Sequence, residues 1–328
     1  MQIAITGSIA TDHLMTVQGR FSDSLVVEEL DKLSLSFLAE DLEIRRGGVA
    51  ANIAFGMAYL GQRPVLVGAV GEDFQDYRSW LERHGVDCQS VHISETRHTA
   101  RFVCTTDQEM AQIATFYAGA MAEARAIELG PIAQRVGGLD LVLIGANDPE
   151  AMLRHTQECR TRGIRFVADP SQQLAFADGP FIRQLIDGAD YLFTNEYEAR
   201  LTEQKTGWTS EEIASRVRTR VTTRGRHGAV VETAGEEPIE VRAAREVHRA
   251  DPTGVGDAFR AGFLTGLAAG LDHRRCAELG SMLATYVIET IGTQEYHLTT
   301  DAFLARLAES YGEESASDIA PHITCQRP

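Results

Sequence analysis

The chain is short of cysteine, of positive charge and of long apolar runs, and each shortage excludes a class of function. Its five cysteines, Cys88, Cys104, Cys159, Cys276 and Cys325, are odd in number and include no CxxC pair. That pattern argues against a disulfide framework and against a cysteine zinc site. Lysine and arginine total 31 against 47 acidic residues, a formal net charge of −16. Nucleic acids require basic surfaces, so no nucleic-acid partner is expected. No apolar stretch approaches the ~20 residues of a membrane helix, so no membrane partner is expected either. The opening residues, MQIAITGS, have neither the basic region nor the apolar stretch of a signal peptide, which predicts a cytoplasmic protein. The GxxxxGK[ST] loop of P-loop nucleotide-binding proteins is missing as well. No internal repeat or low-complexity segment is evident.

What is present is enough for a sizeable core: 328 residues, 44% of them hydrophobic, fit one large α/β domain or two smaller ones. Short apolar runs at 2–5, 64–70, 139–144, 165–168, 191–193, 221–223 and 229–231 read as strands. Helical patterns at 49–60, 74–83, 149–162, 182–188 and 197–205 fall between them. This alternation predicts an α/β fold, doubly wound, with a mostly parallel sheet flanked by helices. Two regions, 12–46 and 98–117, depart from the pattern. Glu40 to Arg45 and Ala100 to Thr105 alternate polar with apolar residues, as half-buried antiparallel strands do. They predict a small inserted β-sheet, a lid over a ligand, a dimer interface or both at once. The expected organisation is a large domain of 1–11, 47–97 and 118–312, a lid of 12–46 and 98–117, and a tail of 313–328. The tail has few large apolar residues and is expected to fray.

Residues 251–264, DPTGVGDAFRAGFL, carry the strongest chemical signal. Gly254 and Gly256 allow a tight turn and close approach to a ligand. An apolar helix follows, so the loop opens onto a helix N-terminus, which attracts anions. Asp257 lies in its first turn, where a carboxylate can take a proton and where the helix dipole favours the ionised form. A second glycine pair, Gly47-Gly48, precedes another helix, with Asn52 in its first turn.

Gly47, Gly48, Asn52, Ala54, Gly61 and Gly71, with Asp251, Gly254, Gly256, Asp257, Ala261 and Gly262, resemble the two signatures of the ribokinase-like, or PfkB, carbohydrate kinases. Val255 departs from the small residue usual there but keeps its backbone N–H. The resemblance reaches to about residue 311, and segments such as TGSIATDHLM, ADPSQQLA and ETIGTQE extend it to the adenosine kinases of mycobacteria and related actinobacteria.

The resemblance implies Asp257 as catalytic base and Gly254, Val255 and Gly256 as an anion hole. It implies ATP as phosphoryl donor, with Asn195, Thr223, Gly225 and Gly228 at the nucleotide. Glu198, of the NxxE motif, would help hold Mg²⁺ through water. Asp12, with Ser8, Gly48 and Asn52, would hold a sugar diol. Phe102, Phe116, Met121, Gln172 and Gln173 would form a nucleoside pocket, with Ser36 reaching in from the lid. The implied reaction is phosphorylation of the 5′-hydroxyl of adenosine; a sugar such as ribose, or another nucleoside, is the alternative. Potassium beside residues 292–295 and a homodimer through the lid sheets are further implications.

Overall fold

Alternate residues of the central strands bury on opposite faces, and this organises the molecule. In the computed structural model, which describes residues 1–24 and 36–325, Ile3 and Ile5 join one hydrophobic cluster and Ala4 a second. Leu141 and Leu143 part from Val142 and Ile144 in the same way. A strand buried on both faces needs cover on both, and helices supply it.

The strands are β1 (Ile3–Thr6), β2 (Ala10–Val17), β3 (Ala39–Gly47), β4 (Val65–Val67), β5 (Ala69–Gly71), β6 (His92–Ser94) and β7 (Ala100–Thr106). They continue with β8 (Gln112–Tyr117), β9 (Leu141–Ile144), β10 (Arg165–Ala168), β11 (Tyr191–Asn195), β12 (Thr219–Thr223), β13 (Ala229–Thr233) and β14 (Ile239–Val241). The large sheet has eight strands in the order β14-β13-β12-β11-β10-β9-β1-β4. It is parallel from β12 to β4 and antiparallel at the β12-β13-β14 edge. Chain order departs in opposite directions from β1, toward β4 and toward β9. Ligands of such sheets bind beyond the carboxyl ends of the strands at this switch.

The small sheet has the order β3-β2-β7-β8. Here β2 pairs antiparallel with β3 and parallel with β7, and β7 and β8 form the expected hairpin. β2 itself was not legible: ATDHLMTV carries no clean alternation. The apolar run 64–70 splits at Gly68 into β4, in the large sheet, and β5, which pairs with β6. A Cβ at Gly68 would lie 2.8 Å from the Gly7 carbonyl oxygen, so the chain turns between sheets where only glycine fits.

The expected fraying of 313–328 is not seen over 313–325; residues 326–328 lie outside the described residues. Residues Glu313–Ile319 form a helix, and Ala316, Ile319 and Ile323 are buried. Ala316 and Ile319, at i and i+3, share one face of this short helix, and Ile323 follows in extended backbone beyond it. Thr324 N–H donates to the Leu60 carbonyl at 3.2 Å, tying the segment to the core. Among the described residues, no helix is long and apolar enough to cross a membrane.

Candidate active site

A cavity of about 660 Å³ opens beyond the carboxyl ends of the parallel strands. The chain after β1 brings Ser8 to it, that after β9 brings Asn147, that after β10 brings Gln172 and Gln173, and β11 and β12 end in Asn195 and Thr223. A shallower cleft of about 550 Å³, against Gln2, Arg63 and Asp87, lies at the other end of β1 and meets neither glycine loop.

Two helix starts form the floor. Gly254 caps the Val255–Ala268 helix in the left-handed region, at φ 76°, and Asp257 follows in the first turn. Gly48 caps the Val49–Tyr59 helix at φ 94°. A Cβ on Gly48 would lie 2.6 Å from the Ser8 carbonyl oxygen and the Ala10 nitrogen, so glycine is required. Asn52 links the two starts: its Nδ2 donates to Asp257 Oδ2 at 2.8 Å, across 205 residues of sequence. Ser8 Oγ accepts from the Val49 N–H at 3.1 Å, so this residue also seats the second helix.

The small sheet forms the roof. Asp12 pairs in register with Arg45 on β3 and with Phe102 on β7, and Phe102 pairs with Phe116 on β8. Register partners point to the same face, and all four line the cavity. Met121, Gln172 and Gln173 close one wall; Asn195, Glu198 and Thr223 lie on another. Gly225 and Gly228 sit in the turn after β12, beyond Thr223, and do not line the cavity. Ser36 is not brought to the site. It stands exposed just before Ala39, which pairs with Val17 at the far end of β2, five residues from Asp12 and roughly 17 Å along the strand.

Burial sets the protonation of the site. Asp257 keeps one side open to the cavity, but the protein around it excludes bulk water and pushes its pKa up to about 6. The Asn52 hydrogen bond and the Arg260 charge lower it less. The helix N-terminus was expected to keep this carboxylate ionised; desolvation outweighs it. Asp12 is likewise pushed up to about 6 by burial, against the opposing Arg45. Glu198 is raised above the usual carboxylate range, again chiefly by burial.

Glu198 and Asn195 form a capping box: Asn195 N–H donates to Glu198 Oε2 and Glu198 N–H to Asn195 Oδ1, each at 2.8 Å. This leaves Glu198 Oε1 for the cavity. Magnesium keeps several waters and often takes one carboxylate beside substrate phosphates, so this donor set fits it. Among the described residues no cluster of three or more His, Cys, Asp or Glu could hold a metal by itself.

Several cavity residues escaped the sequence reading. Arg260, 5% exposed, forms a two-pronged ion pair with Asp169, Nε to Oδ2 at 2.5 Å and Nη2 to Oδ1 at 2.6 Å. Its Nη1 donates to the Gly256 carbonyl at 3.0 Å, bracing the loop. The available signal was a lone charge inside an apolar helix. Arg45 stood beside the glycine pair but needed the strand register to place it. Asn147, 2% exposed, offered no signal beyond its place after a strand.

A glycine-capped helix start facing a carboxylate at the switch point of a doubly wound sheet, roofed by a small separate sheet, is the ribokinase-like fold with its catalytic crevice. The chain belongs to the pfkB family of carbohydrate kinases, which it matches over residues 7–300. Kinases of this family are phosphotransferases with an alcohol group as acceptor and ATP as donor. The chain is 30% identical to a nucleoside kinase of Methanocaldococcus jannaschii, over 80% of this chain and 85% of that one. The nucleoside kinase of Burkholderia thailandensis in ligand-free form is 34% identical and superposes with a TM-score of 0.85, covering 93% of this chain and 99% of that one. The same Burkholderia enzyme has been solved in complex with inosine, at a TM-score of 0.82 and covering 94% of this chain and 99% of that one.

Proposed function

We propose that the chain is a purine-nucleoside kinase that transfers the γ-phosphoryl group of ATP to the 5′-hydroxyl of adenosine, giving AMP and ADP. The observation that carries this reading is that one cavity joins Asp257 and the glycine loop to an aromatic pair and two glutamines. A bare sugar has no use for the second half. The similarity to nucleoside kinases supports the same substrate class.

In this reading Asp12 accepts hydrogen bonds from the ribose diol, because a carboxylate offers two acceptor oxygens. Gly48 and Asn52 complete the ribose site. The 5′-hydroxyl then faces Asp257, which takes its proton as the phosphoryl group arrives. The N–H groups of residues 254–256 meet the charge on the transferred group. Positioning and electrostatics supply most of the rate, since phosphoryl transfer asks little else of the protein. Glu198, acting through water, would hold Mg²⁺, which would offset phosphate charge when bound. Gly225 and Gly228, in the turn just past Thr223, let the chain pass beside the part of ATP that reaches beyond the cavity. Potassium beside residues 292–295 belongs to the same proposal.

A free amide oxygen in the cavity suits the exocyclic amino group of adenine. Gln173 Nε2 donates to the Asn147 carbonyl at 2.7 Å, which leaves Oε1 as a free acceptor. An exocyclic amino group satisfies that oxygen, whereas a 6-oxo group opposes it. ADP release measured across adenosine, inosine, guanosine, ribose and fructose tests the reading. Adenosine should give the highest kcat/KM; a higher value for ribose would replace it with a sugar kinase.

The lid sheet also supports a homodimer. Leu42 (53% exposed), Ile44 (58%) and Ile113 (47%) lie on the face turned away from the cavity, an apolar patch of the kind a second copy covers.

A further inference from the structure

Asp257 stands at one end of a chain of buried amides whose direction is set at the other end. The indole N–H of Trp80 can only donate, and it donates to Gln294 Oε1 at 3.1 Å. This turns Gln294 Nε2 inward, where it donates to Asn52 Oδ1 at 3.0 Å and to Tyr77 Oη at 2.6 Å. The Tyr77 hydroxyl gives its own proton to the Gly47 carbonyl at 3.0 Å, so it must accept from Gln294. Asn52 Oδ1 lies 2.9 Å from Thr293 Oγ1 as well. With that oxygen engaged, Asn52 has only Nδ2 to offer Asp257. Gln294 is 1% exposed and Asn52 8%, so reversing either amide would set like groups face to face in a dry interior.

The same segment touches both glycine loops. Thr293 Oγ1 is 2.9 Å from the Arg46 carbonyl, and the Thr293 methyl occupies the space beside Gly254 that a Cβ would need. The Gly292 N–H donates to Asp251 Oδ2 at 3.2 Å.

We propose that Gln294 and Trp80 are positioning residues for phosphoryl transfer: they lock the Asn52 amide so that it donates to Asp257 Oδ2 and leaves Oδ1 to accept the substrate hydroxyl proton. The proposal rests on Asp257 being the base. The charged groups facing Asp257 are Arg260 on its own helix, Asp169 after β10 and Glu198 at the start of the Glu196–Thr206 helix. Neither substitution below alters any of them. The hydrogen bond from Asn52 favours the ionised carboxylate. A reversed Asn52, presenting its oxygen, favours the protonated one.

The test is kcat and KM against pH, at saturating ATP with adenosine, for Trp80→Phe and Gln294→Glu. Trp80→Phe removes the indole donor, together with part of the ring that stacks on Phe55 and lies under Arg46, and Gln294→Glu replaces the donating amide with an acceptor. Both should lower kcat about tenfold or more, the worth of one hydrogen bond to a charged group. KM for adenosine should stay within about threefold, and the acidic limb of kcat should move up by roughly one pH unit. Circular dichroism and thermal melting establish folding, and Trp80→Phe carries the test if Gln294→Glu does not fold. A wild-type kcat and acidic limb overturns the proposal. So does a loss of kcat with the limb unmoved, which is what merely structural damage would give. Asp257→Asn, run in parallel, separates the two readings. Near-normal turnover in that variant removes the base itself, whereas an inactive variant beside wild-type profiles for the other two removes only the positioning role.

Discussion

Asp12 and Phe102 are register partners on β2 and β7, so a carboxylate and an aromatic ring stand side by side over the cavity. Phe116 continues the row on β8. Strands lie about 4.8 Å apart, so the row runs from the place of a ribose diol to that of a base within two strand spacings. In the proposed reading the carboxylate recognises the sugar and the rings take the base.

Phe102→Ala should therefore weaken nucleoside binding and spare the chemistry. A base–aromatic stack is worth about 1–3 kcal/mol, so KM for adenosine should rise roughly 5- to 150-fold. KM for ATP should not change. Steady-state kinetics in both substrates checks this, and an unaltered adenosine KM would show that Phe102 is only packing.

Asp257→Asn should leave adenosine binding nearly intact and cut turnover by orders of magnitude, read by calorimetry and by ADP release. The same variant has a consequence for stability. The folded pKa of Asp257, about 6, lies above the ordinary value of 3.8. Its contribution is thus fully present below pH ~4 and is lost as pH rises through about 6. At pH 7.5 the asparagine variant should melt a few degrees higher than the parent, and near pH 4 the two should coincide. Activity in the parent should fall as pH drops through about 6, where both Asp257 and Asp12 take up protons.

Arg260→Met should destabilise the fold strongly, because it strands the buried Asp169 carboxylate. Breaking a buried pair from one side costs about 3–5 kcal/mol, whereas replacing both partners with apolar residues is often neutral. Urea unfolding of Arg260→Met and of Arg260→Met with Asp169→Leu separates the two. Equal losses would mean that the pair holds nothing beyond its own volume.

Ile44→Glu combined with Ile113→Glu should give a monomer by light scattering at micromolar concentration, if the outer face of the small sheet is the dimer contact. The substitutions lie opposite the cavity row, so Asp12 and Phe102 keep their places. A dimer that survives both charges would move the contact elsewhere.

The parts of the site legible in sequence were those fixed by local backbone demands. Gly254 and Gly48 must adopt positive φ, and Asp257 and Asn52 follow at set distances within one helical turn. The alternating β3 and the β7-β8 hairpin were legible for the same reason, since their patterns are contained in a few residues. β2 was not, because its partners come from about thirty and ninety residues away and its composition suits neither period. Arg260 was hidden because its counter-charge lies 91 residues distant. The protonation of Asp257 was misjudged because the helix dipole is visible in a sequence and desolvation is not. The order of residues 313–325 rests on three small-to-medium apolar residues, too few to stand out by composition.

The pleat of the small sheet imposes a rule on how this roof can change. Arg45, Asp12, Phe102 and Phe116 share one face only because their strands are in step. Exchanging any one of them retunes recognition and leaves its neighbours where they are. Inserting or deleting a single residue in β2 would turn the rest of that strand over, carrying Asp12 outward and His13 in. New substrates are therefore open to this sheet by substitution and closed to it by changes in length.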